Sequence, residues 1–126
     1  PSANAKEVAV GISRGSFEFQ GQKCSAASRA YIPESKWEAV KNFVIEDVNS
    51  FKMGSPEDMS NFVTAVIHEG SFDKLAKYID GAKSDSDAEI VVGGNYERPW
   101  IVWGLQCQYP KNGFGHHQRK IFNPVY

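Results

Sequence analysis

At 126 residues, with 41% hydrophobic and 23% charged positions, the chain is long enough for one hydrophobic core and too apolar for general disorder. Its 14 basic and 15 acidic residues leave a formal charge of −1, and the basic ones are scattered, so nothing in the sequence recruits nucleic acid or an anionic membrane. No apolar run approaches the roughly 20 residues of a membrane span and no signal peptide opens the chain, which reads as soluble and not secreted. Cys24 and Cys107 share no metal-ligand spacing and are expected as free thiols. The chain opens at Pro1 and runs straight into a helical pattern, which reads as a fragment of a longer protein.

From Ala5, the residues Ala5, Val8, Ile12 and Phe19 recur at helical spacing, and the pattern stops at Gly21. Gly11 and Gly15 inside this helix are expected to allow close packing against a neighbour. Ser28 to Pro33 alternates polar and apolar residues and suits a short strand, with Cys24 in the loop between helix and strand. Ser35 and Glu38 form an S-x-x-E capping box, so a second helix should start there. Its buried stripe is Trp37, Val40, Val44, Val48 and Phe51. "KMGSPEDMSNF" reads as a loop whose two methionines fill gaps. A third helix follows from about Ser71 to Ala82, with Phe72, Leu75, Ala76 and Ile79 inward, and then "EIVVGG" is a short strand ended by glycine. This order of elements predicts an α/β layer with a partly parallel sheet flanked by helices. Beyond Tyr96 the chain is aperiodic and no element is placed.

Cysteine is a nucleophile only as thiolate, so a reactive Cys24 needs a cation or oriented N–H groups beside it. Lys23 is adjacent in sequence, and the glycine turn offers backbone donors. Composition alone favours a small buried structural cysteine over a nucleophile. The other candidates are weaker. Adjacent His116 and His117 would point to opposite faces of a strand and have no further ligand at zinc spacing. His68 reads as a surface or capping residue. "GFG" at Gly113 to Gly115 lacks the rest of a dinucleotide fingerprint, and the "SDSD" run is a solvated loop. No metal site and no Ser-His-Asp arrangement can be nominated.

"GQKCSAASRAYIP" resembles the catalytic cysteine loop of the aldehyde dehydrogenase superfamily, in which a Gly-Gln-x-Cys turn follows a helix and precedes a strand. Together with "SNFVTAVIHEGSFDKLAKYID" it is most similar to the 1-pyrroline-5-carboxylate dehydrogenases, which oxidise glutamate semialdehyde in proline breakdown. The resemblance covers about residues 1–96, and it implies part of the catalytic domain of an NAD-dependent enzyme. By it, Cys24 attacks the aldehyde to give a thiohemiacetal, with the oxyanion held partly by its own N–H. Lys23 and Ser25 would hold the substrate carboxylate. It also implies a small-molecule substrate, a homo-oligomer in the full-length protein, and a bacterial cytoplasm or mitochondrial matrix.

The end of the chain departs from that family. A Glu-Ile-Phe-Gly-Pro motif is expected, its Glu and Phe contacting the nicotinamide ribose and ring, and this chain has "KIFNPVY". Phe122 therefore matches the cofactor-contacting ring. Lys120 stands in place of the Glu and cannot accept the ribose hydrogen bonds. Residues 97–126 read as a divergent or frameshifted tail. Two further readings stay open at this point: a catalytically silent structural or interaction domain built on the same fold, and a thiol-dependent redox protein using Cys24. The isolated piece is expected to be inactive, because the cofactor-binding domain and the rest of the substrate anchor are not in it.

Overall fold

Helix α1, Ala5–Phe17, starts where the Asn4 side-chain oxygen accepts the N–H groups of Lys6 and Glu7, at 2.9 and 3.4 Å, groups that have no partner inside the helix. The computed structural model describes residues 2–97, 101–102, 105–109 and 118–122, with side chains as far as Tyr96. The inward face of α1 is Ala9, Ser13, Ser16 and Phe17, with Ala5, Val8 and Ile12 half-buried beside it. Phe19, expected on this stripe, lies beyond the helix end and is 73% exposed. Gly15 does sit close to a neighbour, since a Cβ there would meet the Ala27 Cβ at 3.5 Å, whereas nothing lies within 4 Å of one at Gly11.

Strand β1, Arg29–Pro33, passes directly into helix α2, Glu34–Ser50. The capping box expected at Ser35 does not form. Pro33 is still paired across the sheet with Gln118 and is itself the cap residue, so the cap falls two residues early and Ser35 lies inside the first turn. Pro33 needs no N–H there, and its fixed φ suits the entry. The expected stripe is buried: Trp37, Val40, Val44 and Val48 are 4% exposed or less, and they join Ala9, Phe17 and Ile32 in one cluster. Phe51 packs beside that cluster and stacks on Phe62 at 4.3 Å between ring centroids, with Phe17 edge-on at 5.8 Å. These three rings tie the end of α1 to the loop between α2 and the third helix. Met59 in that loop is 93% exposed and fills no gap, which corrects the expectation for it.

Helix α3, Glu69–Ser84, is capped by His68, whose Nδ1 accepts the Ser71 N–H at 3.0 Å. Histidine in the capping role accounts for a start two residues before the expected one. Phe72, Leu75, Ile79 and Ala82 form a second cluster with Val66, and Ala76 packs against it. Strand β2, Glu89–Gly93, follows, then β3, Tyr96–Glu97, β4, Ile101–Val102, β5, Leu105–Tyr109, and β6, Gln118–Phe122.

The larger sheet has four strands in the order β1-β6-β5-β2, and β3 pairs with β4. The α/β class holds. All ladders between described strands are antiparallel, so the partly parallel sheet is not found among the described residues, where the parallel pairing is the isolated bridge Met53–Val63. The expectation followed from a strand, helix, helix, strand order. The strands at the end of the chain, where none had been placed, instead lie between β1 and β2. Helix α2 lies against β1, β2 and β6, with α1 packed on it, and the loop from α1 leads into the edge strand β1. Among the described residues no helix is long and apolar enough to cross a membrane.

Two substitutions test this packing with opposite signs. Ile79 is 0% exposed, and Ile79→Ala should cost about 2–5 kcal/mol in urea unfolding. The Ser13 hydroxyl is buried with no hydrogen-bond partner among the described residues, so Ser13→Ala should leave stability unchanged or raise it by up to about 1 kcal/mol. A clear loss from Ser13→Ala would contradict the packing described for α1.

Candidate active site

After Phe17 the backbone leaves the helix through a left-handed passage: φ is 55° at Phe19, 59° at Gln20 and 71° at Gly21. Gly21 adopts this freely, but each side-chain-bearing residue there costs roughly 1–2 kcal/mol. The passage reverses the chain within a few residues, so that Ala27 returns to α1. The Ala27 N–H donates to the Gly15 carbonyl at 2.9 Å, and the Ser16 hydroxyl donates to the Ala27 carbonyl at 3.0 Å. Between these anchors, Lys23 to Ala26 forms a tight turn closed by the Ala26 N–H on the Lys23 carbonyl at 3.0 Å. Cys24 and Ser25 are its two central residues, both exposed, and Cys24 is a free thiol.

Two glutamines hold the passage in place. Gln22 Oε1 accepts the Ile67 N–H at 2.8 Å, and its Nε2 donates to the Phe19 carbonyl at 3.2 Å. The Gln20 amide lies against Thr64. In the orientation that satisfies both its ends, its oxygen accepts from the Thr64 N–H at 2.8 Å and hydroxyl at 2.9 Å, while its nitrogen donates to the Phe19 carbonyl at 3.0 Å. The cysteine turn is thus fastened to the segment from Thr64 to Ile67, which the Phe17, Phe51 and Phe62 rings place beside it. Net hydrogen bonds of about 1 kcal/mol each are of the size needed to offset the strain.

Of the residues nominated from sequence, the turn brings Lys23, Cys24 and Ser25 together. Lys23 does not run free into solvent: its Nζ is 2.8 Å from Glu18 Oε2, and Arg14 Nη2 bonds the other oxygen of the same carboxylate. The Lys23 ammonium first, and the Arg14 guanidinium second, hold the Glu18 carboxyl below the usual range. Among the described residues the Cys24 N–H donates to no partner, and the Ser25 hydroxyl makes no hydrogen bond. His68 is the cap of α3, as expected for it. Lys120 and Phe122 lie in β6 and Cys107 in β5, with their side chains outside the described residues. His116, His117, Asn123 and the Gly113 to Gly115 run also fall outside them. No group of three or more His, Cys, Asp and Glu side chains gathers among the described residues. Sequence reading missed Glu18, Gln20, Gln22 and Thr64 as builders of the site. A Glu five residues before a Lys carries no helical signature, and the pairing of Gln20 with Thr64 spans 44 positions.

The sequence profile of the aldehyde dehydrogenase family matches residues 1–126. The chain belongs to that family. Among the relatives of this aldehyde dehydrogenase segment, the mitochondrial delta-1-pyrroline-5-carboxylate dehydrogenase of Emericella nidulans is 48% identical over 126 residues, covering 98% of this chain and 22% of that protein. The Dictyostelium discoideum protein of the same name is 45% identical over 114 residues, covering 89% of this chain and 20% of its own length. The crystal structure of the delta-pyrroline-5-carboxylate dehydrogenase from Mycobacterium tuberculosis bound with NAD superposes with a TM-score of 0.84 at 28% identity, over 98% of this chain and 22% of that one. The chain therefore spans about a fifth of the length of the relatives it matches.

If Gln22 fastens the cysteine turn of this aldehyde dehydrogenase segment, Gln22→Ala should remove two hydrogen bonds and cost about 1–2 kcal/mol. The Ile67 amide should then exchange with deuterium faster than its neighbours in α3, where protection should be unchanged. Equal protection of Ile67 in parent and variant would show that the turn is held by something else.

Proposed function

We propose that this segment supplies the cysteine nucleophile for the NAD-dependent oxidation of L-glutamate γ-semialdehyde, formed from 1-pyrroline-5-carboxylate, to L-glutamate. The observation that carries this reading is the exposed Cys24 at the centre of a tight turn that follows a strained left-handed passage at Phe19 and Gln20, in a chain 48% identical to a named delta-1-pyrroline-5-carboxylate dehydrogenase. Strain kept in the passage that leads to an exposed thiol, at a cost the surroundings must offset, is the pattern expected near a functional site.

The Cys24 sulfur adds as thiolate to the aldehyde carbon and gives a thiohemiacetal, whose oxyanion is within reach of the N–H of the same residue. With NAD bound as hydride acceptor the adduct would be oxidised to a thioester on Cys24, from which water would release the carboxylate and return the thiol. Ser25 beside the thiol and the Lys23 ammonium hold the substrate carboxylate at its far end. A fixed turn serves the chemistry by presenting the sulfur in one direction, which spares the reaction the entropy of finding it.

NAD, when bound, supplies the hydride acceptor. The described residues do not themselves fit it: α1 is capped by Asn4, α2 by Pro33 and α3 by His68, so no glycine-rich turn opens a helix to cradle a pyrophosphate. Phe122 in β6 is the position from which this chain would touch the nicotinamide. The setting we propose is a mitochondrial matrix, in keeping with the word mitochondrial in the names of eukaryotic relatives, or a bacterial cytoplasm, with the assembled protein a homo-oligomer.

The reading is tested in a chimera whose matching stretch of the Emericella nidulans enzyme is replaced by these 126 residues. NADH should form from pyrroline-5-carboxylate, and Cys24→Ser should lower the rate by at least about a thousandfold with the fold intact. A Cys24→Ser chimera that turned over at the parent rate would remove Cys24 from the mechanism.

A further inference from the structure

Glu18 is the last residue before the backbone turns left-handed, and its carboxylate serves two cations: Lys23 Nζ at 2.8 Å from Oε2, and Arg14 Nη2 on Oε1. Arg14 and Lys23 each carry +1 and Glu18 carries −1, so the cluster has a net charge of +1 directly before the thiol. It is open to water, with side-chain exposures of 62% for Arg14, 32% for Glu18 and 35% for Lys23. Lys23 is the residue before Cys24, and its ammonium is already shared with an internal carboxylate. Ion pairs this exposed are weak enough for a ligand to exchange with or join, and an ammonium has donors for more than one acceptor.

Resting on the reading of Cys24 as nucleophile for an anionic aldehyde, we infer that Glu18 is a specificity-determining residue: it occupies the Lys23 ammonium and so sets how strongly the site draws a carboxylate-bearing substrate. An aldehyde with a carboxylate must share or displace Glu18. A neutral aldehyde meets no such competition. Arg14 belongs to the same device, because it draws part of the Glu18 charge away from Lys23 and leaves the ammonium more available than a simple pair would.

The test uses this chain with Cys107→Ser, which leaves Cys24 as its single thiol. Its rates of alkylation by iodoacetate and by iodoacetamide are compared at one pH. In both reactions the thiolate sulfur forms the C–S bond as iodide leaves, so the ratio of the two rates cancels the thiolate fraction and reports the charge seen by an anionic reagent. Glu18→Gln raises the cluster from +1 to +2 and should increase the iodoacetate to iodoacetamide ratio about two- to fivefold at low salt. The increase should vanish near 1 M salt, where the screening length is about 3 Å. Arg14→Met, which leaves Glu18 to Lys23 alone, should lower the ratio. An unchanged or lower ratio in Glu18→Gln would overturn the inference. So would an equal rise when Lys23→Met is already present, since Glu18 would then act without Lys23. Near-ultraviolet circular dichroism checks that each variant keeps its packing, and Arg14→Met gives an opposite-signed readout should Glu18→Gln lose it. The ratio needs no turnover, so its failure leaves the nucleophile assignment standing, and an active Cys24→Ser chimera would leave the ratio readable.

Discussion

A backbone that stays left-handed from Phe19 through Gly21 has to be held there, and the placement of Cys24 depends on what holds it. Without the passage α1 would continue or fray, and the loop could not return Ala27 to Gly15 within so few residues. The strain is local, while the bonds that offset it reach far along the chain, to Thr64 and Ile67. The thiol is therefore positioned by tertiary structure and not by its own neighbours in sequence. This is why the aromatic contacts of Phe17, Phe51 and Phe62 matter to Cys24: they fix the loop whose Thr64 and Ile67 N–H groups donate to the two glutamines.

Charge around the turn follows from the same geometry. Because the passage folds the chain back, Lys23 comes alongside Glu18 at the end of α1. Sequence adjacency of a cation and a cysteine says little about field strength at the sulfur when a carboxylate takes up that cation. The cluster is open to water and has a net charge of +1, so it attracts anions moderately and does not hold them tightly.

What the sequence made legible was whatever repeats along one element. The stripe of Trp37, Val40, Val44 and Val48, the inward face of α3, and the β-branched β2 all follow from periodicity and burial, and all are found. Boundaries fared worse. Ser35 has the right partner at Glu38 for a cap, but β1 remains in its ladder to Pro33 and leaves no residue to turn before the helix. Phe19 fits the helical stripe by spacing alone, and a backbone reversal put it outside. The parallel sheet was inferred from element order, a rule that breaks when strands late in the chain insert between earlier ones. In the site, the turn itself was legible from its glycine and its family pattern. Its supports, Glu18, Gln20, Gln22 and Thr64, were not, because they act across reversals and distances that no local pattern encodes.

The account as a whole stands on a covalent intermediate at one sulfur. Rapid acid quench of the chimeric enzyme during turnover of pyrroline-5-carboxylate, followed by proteolysis and mass spectrometry, reads that directly. The account predicts a γ-glutamyl thioester on the peptide that carries Cys24, appearing before steady state and decaying as substrate is exhausted. NADH formation with no acyl group on that peptide, or with the acyl group on another cysteine, would contradict it.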